Sequence, residues 1–269
     1  AQNLDIKHSQ VYFTGGGTEA NHLPLLALLQ RPIRGSIAIS ALEHPSMMEQ
    51  AKMLEHTGWK LIQIPSSNEG FISPEAVISS LKEDTAYVAV MAVNNETGAI
   101  QPTKEIAQAL IDYSRGKKKP HFHVDAVQAI GKIPYNLNVP GLDSASLSAH
   151  KLGGFRGSGI LYLEHRIEPF IRGGGQESAF RPGTENLMAA LALSECLKKS
   201  INQQEFLRAE KKMEYLIQNL SIIKTISLIP ETRKPIDPRF SPWIIQCTNT
   251  KYPSEVLVRI LADKKICIS

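Results

Sequence analysis

The sequence predicts an α/β fold: a mostly parallel sheet flanked by helices, followed by part of a small α+β domain. Three observations carry this. Short β-rich runs alternate with helical ones through the first two thirds of the chain. Polar clusters follow the strand-like runs, where open α/β sheets bind their ligands. After Asn186 the texture changes to one long amphipathic stretch.

Taken in order, "QVYF" runs into the glycine-rich "TGGGTEAN", and the apolar "HLPLLALLQ" follows. Pro24 in that segment is expected to delay or kink a helix, because it lacks an N–H to donate. "SIAISA" reads as a strand, "SMMEQAKMLEHTG" as a helix ending at Gly58, and "WKLIQIP" as the next strand. "SPEAVISSLK" is a helix with Ser73 as N-cap and Pro74 at its first position, where a missing N–H does no harm. "AYVAVMAVN", "HFHVD", "SASLSAH" and "GSGILYL" complete seven strand-like runs, with the helix "TKEIAQALIDYSRG" among them. The run from Leu187 to Leu220 predicts a single long bridging helix. "SPWIIQCT" and "SEVLVRILADKKICIS" then predict a strand, a helix and a second strand holding Cys267. The composition shift divides the chain into a large domain, residues 1–190, and a bridging helix with a partial small domain, residues 191–269.

A net charge of +4 is spread along the chain, and its nearest approach to a basic run, "RGKKKP", reads as a solvated turn. No nucleic-acid motif is present, and no apolar run approaches the length of a membrane span. Three cysteines, Cys196, Cys247 and Cys267, form no CxxC pair and no metal-ligand spacing; this excludes a metal site and predicts a reducing, cytoplasmic setting. All three read as packing residues, Cys267 as a buried strand cysteine.

The chemistry-bearing residues sit at strand ends. "TGGGTEAN" opens a helix after a strand, which suits either a glycine turn with a helix cap or a cup for a single phosphate, Thr18 adding a hydroxyl. Asp125 ends "HFHVD", with Gln128 three residues on; a strand-terminal Asp is either an N-cap or the acceptor for a protonated ring nitrogen. His44 in "EHPS" alone reads as a structural hydrogen-bonder. The amides of "VNNETG" suit either a turn or recognition of a phenolate oxygen and a carboxylate, and "GGGQESAFRPGTEN" alone reads as a surface loop. Lysine is usually a solvated residue, yet Lys151 directly follows His150 at a strand end. Its amine is read as the group that bonds covalently to an aldehyde. A phosphate cup, a ring-nitrogen acid, a stacking imidazole, amides and a lysine together describe a pyridoxal phosphate site.

On these residues the chain resembles the cysteine desulfurases of iron–sulfur cluster assembly, in the class V aminotransferase group. "VYFTGGGTEAN", "EHPS", "VNNETGAIQP", "HVDAVQAIGKIP", "SLSAHKLGG" and "GGGQESAFRPGTEN" occur in the family's order over residues 8–190. The resemblance implies fold type I of the pyridoxal-phosphate-dependent transferases, with a seven-stranded sheet, and a homodimer. Lys151 would bind the cofactor aldehyde, and His44 would stack on the ring and assist proton transfer. Asp125 would pair with the ring nitrogen, and Gln128 and Asn95 would contact the O3′ side. Gly17, Thr18, Ser148 and His150 would hold the phosphate, and Thr184 would reach the phosphate of a partner subunit. The implied reaction converts L-cysteine to L-alanine, with sulfur passed to an enzyme cysteine as a persulfide and on to an acceptor such as an iron–sulfur scaffold.

The chain departs from the family pattern at both ends. It lacks the family's N-terminal motif, its Ser-Gly-Ser-Ala-Cys loop and its C-terminal arginine, so it reads as a fragment truncated at both ends and inactive as it stands. Phe155 stands where relatives often carry proline, which predicts a local change in the loop. Two further readings share the motifs: a selenocysteine lyase or other class V enzyme, and a catalytically inactive scaffold of the same fold.

Overall fold

The structure is a computed structural model that describes residues 1–200 and 202–269. The chain begins with β1 (Val11–Thr14), which turns through glycines into α1 (Gly17–Ala27). There follow β2 (Ser36–Ser40), α2 (Pro45–Glu55), β3 (Lys60–Ile64), α3 (Pro74–Ser80), β4 (Thr85–Ala89), α4 (Thr103–Tyr113) and β5 (His121–Asp125). After a longer connection come β6 (Ser144–Ser148), β7 (Gly159–Leu163) and the short turn α5 (Gln176–Ala179). The remainder is α6 (Leu187–Ser200), α7 (Gln203–Leu220), β8 (Ile226–Ile229), β9 (Gln246–Asn249) and α8 (Ser254–Asp263).

Seven strands make one sheet in the order β1-β7-β6-β5-β4-β2-β3, as the sequence predicts. From β3 to β6 all pairings are parallel, whereas β7 is antiparallel to both β6 and β1. Two antiparallel steps restore direction, so β1 and β6 point the same way. Their carboxyl ends, with that of β5, therefore open on one edge of the sheet.

The sheet is covered on both faces, which is why its central strands read as continuous apolar or small-residue runs. Successive residues alternate between two cores: Val88 faces Ile106, Leu110 and Val124, while Tyr87 and Ala89 face Leu25, Met47 and Leu54. Ser73 caps α3 as expected, accepting from the Ala76 N–H, with Pro74 at the first helical position.

Four expectations are corrected. The helix α1 starts at Gly17 and runs through buried Pro24, passing at Leu28–Gln30 into a 3-10 turn; the proline, having no N–H, leaves the Ala20 carbonyl without its intrahelical donor. The long bridging helix is two helices, because the Asn202 side chain accepts from the Gln204 N–H and caps α7. Ile201, within that predicted helix, lies outside the described residues. The second strand at "KKICIS" does not form: α8 ends at Asp263, Lys265 takes a φ of 63°, and Cys267 is exposed rather than buried. The strand that does pair with β9 is β8, in antiparallel register, and Cys247 on β9 is exposed rather than packed.

Although α6 lies beyond residue 186, Leu193 and Leu197 join the core beneath the sheet. Leu193→Ala should cost about 2–5 kcal/mol, whereas Leu191→Ala, at a position 65% exposed, should stay within about 0.5 kcal/mol. Urea midpoints of the two variants check this; equal losses would show that α6 does not belong to the core.

Candidate active site

The edge where β1, β5 and β6 end carries an open cavity of ≈ 770 Å³ lined by Gly17, Thr18, Ser148, His150, Lys151 and Arg156, among others. Its floor is made by a close backbone approach. In the sheet register Gly159 lies opposite both Thr14 and Ser148. A Cβ on Gly159 would fall 2.7 Å from the Gly16 carbonyl carbon and 2.6 Å from the Leu147 oxygen, so only glycine lets the turn after β1 lie here. Gly16, with φ 148°, starts α1 and offers no side-chain cap. The first N–H groups of α1 therefore remain available, together with the positive end of its dipole, to an anion. A Cβ on Gly17 would meet Ser148 Cβ at 3.4 Å, which places this helix start directly over the end of β6.

Lys151 and His150 lie in a 3-10 turn, Ala149–Leu152, that continues β6 and ends at Gly153 in the left-handed region. Both side chains are exposed into the cavity, and His150 Nδ1 pairs with Ser148 Oγ at 2.8 Å. At the end of β5, Asp125 is 5% exposed. Burial pushes its carboxyl up, opposed by hydrogen bonds to Oδ2 from Asn21 Nδ2 at 2.8 Å and to Oδ1 from the Val127 N–H at 3.0 Å. His44 caps α2: its Nδ1 accepts from the Ser46 N–H at 3.1 Å and its ring is exposed. Gln128 is buried, and its Oε1 accepts from Lys132 Nζ, which leaves the amide NH₂ free to donate.

Asn95 is half-buried in the turn after β4, and its side chain makes no hydrogen bond among the described residues. Its neighbour Asn94 forms the turn, accepting from Glu96 N–H, Thr97 N–H and Thr97 Oγ. Thr184 is exposed and does not line the cavity. Its loop is nevertheless pinned to the phosphate turn, since Arg181 grips Glu19 of α1 at 2.8 and 3.2 Å and Glu177 accepts from the Phe13 N–H.

Sequence reasoning missed several residues. Arg156 and His22 line the cavity without any motif to mark them. Lys132 is pushed down to about 8 by burial and by the neighbouring Lys151 charge, and only the "GK" after Gln128 hints at it. Glu43, next to His44, is wholly buried: Oε1 accepts from Ser40 Oγ and the Met91 N–H, while Oε2 has no partner among the described residues. Burial, then the charge of Asp125, pushes Glu43 up to about 8. Burial raises both acids, and each opposes the ionisation of the other.

The folded chain thus holds a proton on Glu43 between its ordinary value of 4.5 and about 8, where the unfolded chain has released it. That contribution is complete below the unfolded value and is lost as pH rises through the folded one, by up to about 1.4 kcal/mol per pH unit. Glu43→Gln keeps the acceptor oxygen and carries no titratable proton. Cofactor-free urea midpoints should favour the variant increasingly as pH climbs across that window; parallel curves would show Glu43 ionised throughout.

The whole chain, residues 1–269, matches the family Aminotransferase class-V. It is 36% identical to a NifS/IcsS protein homolog of Lactobacillus delbrueckii subsp. bulgaricus, over 100% of the chain and 70% of that protein. It is 33% identical to the cysteine desulfurase IscS of Dictyoglomus turgidum, over 82% of the chain and 56% of that protein. The chain therefore spans little more than half of some curated relatives it matches. Among solved structures, a NifS-like protein superposes with a TM-score of 0.89 at 30% identity, covering 100% of this chain and 73% of that one. SspA in complex with cysteine superposes with a TM-score of 0.81 at 25% identity, covering 100% of this chain and 74% of that one. With its sheet order, its glycine turn and its lysine after β6 in place, the chain belongs to the class V aminotransferases.

Proposed function

We propose that this chain carries the pyridoxal phosphate site of a cysteine desulfurase. The observation that carries the reading is the placement of the Lys151 amine in the same cavity as the uncapped start of α1, with a buried carboxylate at the neighbouring strand end. Class V aminotransferases use pyridoxal phosphate, and the donor set fits it. The α1 N–H groups, Thr18, Ser148 and His150 suit a phosphate dianion. A carboxylate buried with only neutral donors and lacking a cationic partner suits a protonated ring nitrogen.

When bound, the cofactor supplies an aldehyde that condenses with amines and a protonated ring that takes up electrons from the substrate Cα. The protein's residues do the rest. Asp125 keeps the ring nitrogen protonated, and Gln128, its oxygen engaged by Lys132, presents NH₂ to the phenolate side with Asn95. His44 would stack over the ring, and Lys151 Nζ would hold the aldehyde and move the proton at the substrate Cα. L-cysteine loses its sulfur to a cysteine thiolate, giving L-alanine and a persulfide. Burial pushes the Cys247 thiol up, away from the thiolate form, and Cys196, Cys247 and Cys267 are assigned no part in this step.

The further reading is a cytoplasmic homodimer in which Thr184 reaches the partner's phosphate and an iron–sulfur scaffold accepts the sulfur. The pinning of the 173–186 loop onto α1 supports this, because it holds Thr184 outward beside the phosphate turn. Among the described residues no helix is long and apolar enough to cross a membrane.

Borohydride treatment of the cofactor-loaded protein, followed by peptide mapping, should find the reduced cofactor on Lys151. A label on Lys132, or on no lysine, would overturn the assignment. In the full-length protein, Lys151→Ala should lower alanine formation from L-cysteine by about 10²–10⁴-fold. Comparing rates on cysteine and selenocysteine separates a desulfurase from a lyase.

A further inference from the structure

Beneath the cavity, buried polar side chains from four separate elements form one unbroken chain. His121 Nε2 pairs with Ser144 Oγ at 2.7 Å, and the same Oγ pairs with His123 Nδ1 at 2.7 Å. His123 Nε2 pairs with Asn21 Oδ1 at 3.0 Å. The Asn21 amide nitrogen reaches both Asp125 Oδ2 at 2.8 Å and Ser46 Oγ at 2.9 Å, and Ser46 Oγ pairs with His44 Nδ1 at 2.9 Å. Asn21 is 1% exposed, and His123 and Ser144 are wholly buried.

Donor and acceptor chemistry gives this chain a single direction. Asp125 Oδ2 accepts from the Asn21 NH₂, so Asn21 Oδ1 is left as the acceptor for His123. His123 Nε2 must then carry the ring proton. Because burial keeps this imidazole neutral, with its value pushed down to about 3, Nδ1 is bare and accepts from the Ser144 hydroxyl. Ser144 Oγ in turn accepts from His121 Nε2–H, and burial holds His121 neutral as well, pushed down to about 4. On the other branch Ser46 Oγ accepts from Asn21 and donates to His44 Nδ1. The titratable neighbours are Glu43 and Tyr87, beside Asp125, and Asp143, Lys119 and Arg31, beside His121. The Tyr87 ring stacks on both imidazoles, at 5.4 and 6.1 Å between centroids.

We propose that Asn21 is a positioning residue, the hub of a one-way hydrogen-bond relay from His121 through Ser144 and His123 that fixes both Asp125 and His44. The inference rests on the reading of Asp125 and His44 as the groups facing the cofactor ring. From His121 to Asn21 every donor points toward Asp125, and reversing that run would turn the Asn21 oxygen onto the carboxylate. The relay therefore orients the carboxylate and holds it as an acceptor. The Ser46 N–H already makes His44 Nδ1 an acceptor, and the Asn21 amide adds the Ser46 hydroxyl to the same nitrogen, so the ring-nitrogen partner and the stacking imidazole are tied to one rigid group.

Nitrogen NMR of the histidines in the unmodified, cofactor-free protein tests the relay directly. His121 and His123 should both be neutral with the proton on Nε2 at neutral pH. A proton on His123 Nδ1 would overturn the proposal. A second arm uses pyridoxal phosphate labelled at the ring nitrogen. His123→Leu, which frees Asn21 to turn, should weaken cofactor binding about tenfold and move the ring nitrogen toward its unprotonated shift. His123→Gln, which keeps a donor to Asn21, should stay within about twofold of the wild type. Unchanged binding and ring protonation in His123→Leu would overturn the relay. Failure of the unmodified protein to take up pyridoxal phosphate would instead overturn the cofactor reading and leave the tautomers to decide the relay.

Discussion

The site depends on two backbones lying closer than any side chain permits. Gly159 opens β7 directly beneath Gly16, between Thr14 and Ser148 in the sheet register. That approach brings the start of α1 over the end of β6, so that helix N–H groups, a serine hydroxyl and the Lys151 turn share one cavity. A β-carbon at Gly159 would push the glycine turn away and separate the anion site from the amine. The antiparallel insertion of β7 between β1 and β6 serves the same end. It lets the first strand of the chain point its carboxyl end to the edge where β5 and β6 finish.

A second constraint is electrostatic. An ionised carboxylate as buried as Asp125 is costly unless donors face it. The protein meets the cost with neutral donors, the Asn21 amide and the Val127 N–H, and among the described residues no lysine or arginine bonds to it. A cationic side chain there would compensate the charge permanently and compete with a protonated ring. Placing the second acid, Glu43, close by and keeping it protonated avoids adding another anion. Burial raises both carboxyls, and each accepts from one side chain and one backbone N–H.

Much of the fold and the outer layer of the site was legible in local sequence. Each strand run, the glycine turn, Asp125 at a strand end and Lys151 after His150 follow from patterns a few residues long. The supporting layer was not legible. Asn21 lies 104 positions from Asp125 and 102 from His123, and nothing in "TGGGTEAN" or "HFHVD" requires them to meet. That meeting is a product of sheet order, which periodicity does not encode. The failures late in the chain have the same root. An amphipathic run carried the helix expectation through Asn202, whose capping ability outweighs the stripe. The apolar "ICIS" read as a strand, but a strand exists only where another strand accepts it, and β9 is paired with β8.

The segment after Asp125 packs against the chain on the far side of the composition shift near residue 186. Gly131 takes a φ of 73° in a space so tight that a Cβ would meet Ser200 Oγ at 2.5 Å and Leu152 Cδ2 at 2.6 Å. One residue on, the Lys132 carbonyl accepts from Trp243 Nε1 at 2.6 Å. The backbone of Lys132 is thus held by residues far along the chain, while its ammonium holds the Gln128 amide. That bond fixes the orientation of the Gln128 carboxamide, because a free carboxamide turns to suit whichever partner is nearer. The chain after residue 190 therefore reaches the segment that follows β5 through one hydrogen bond to the Lys132 backbone and one packed glycine.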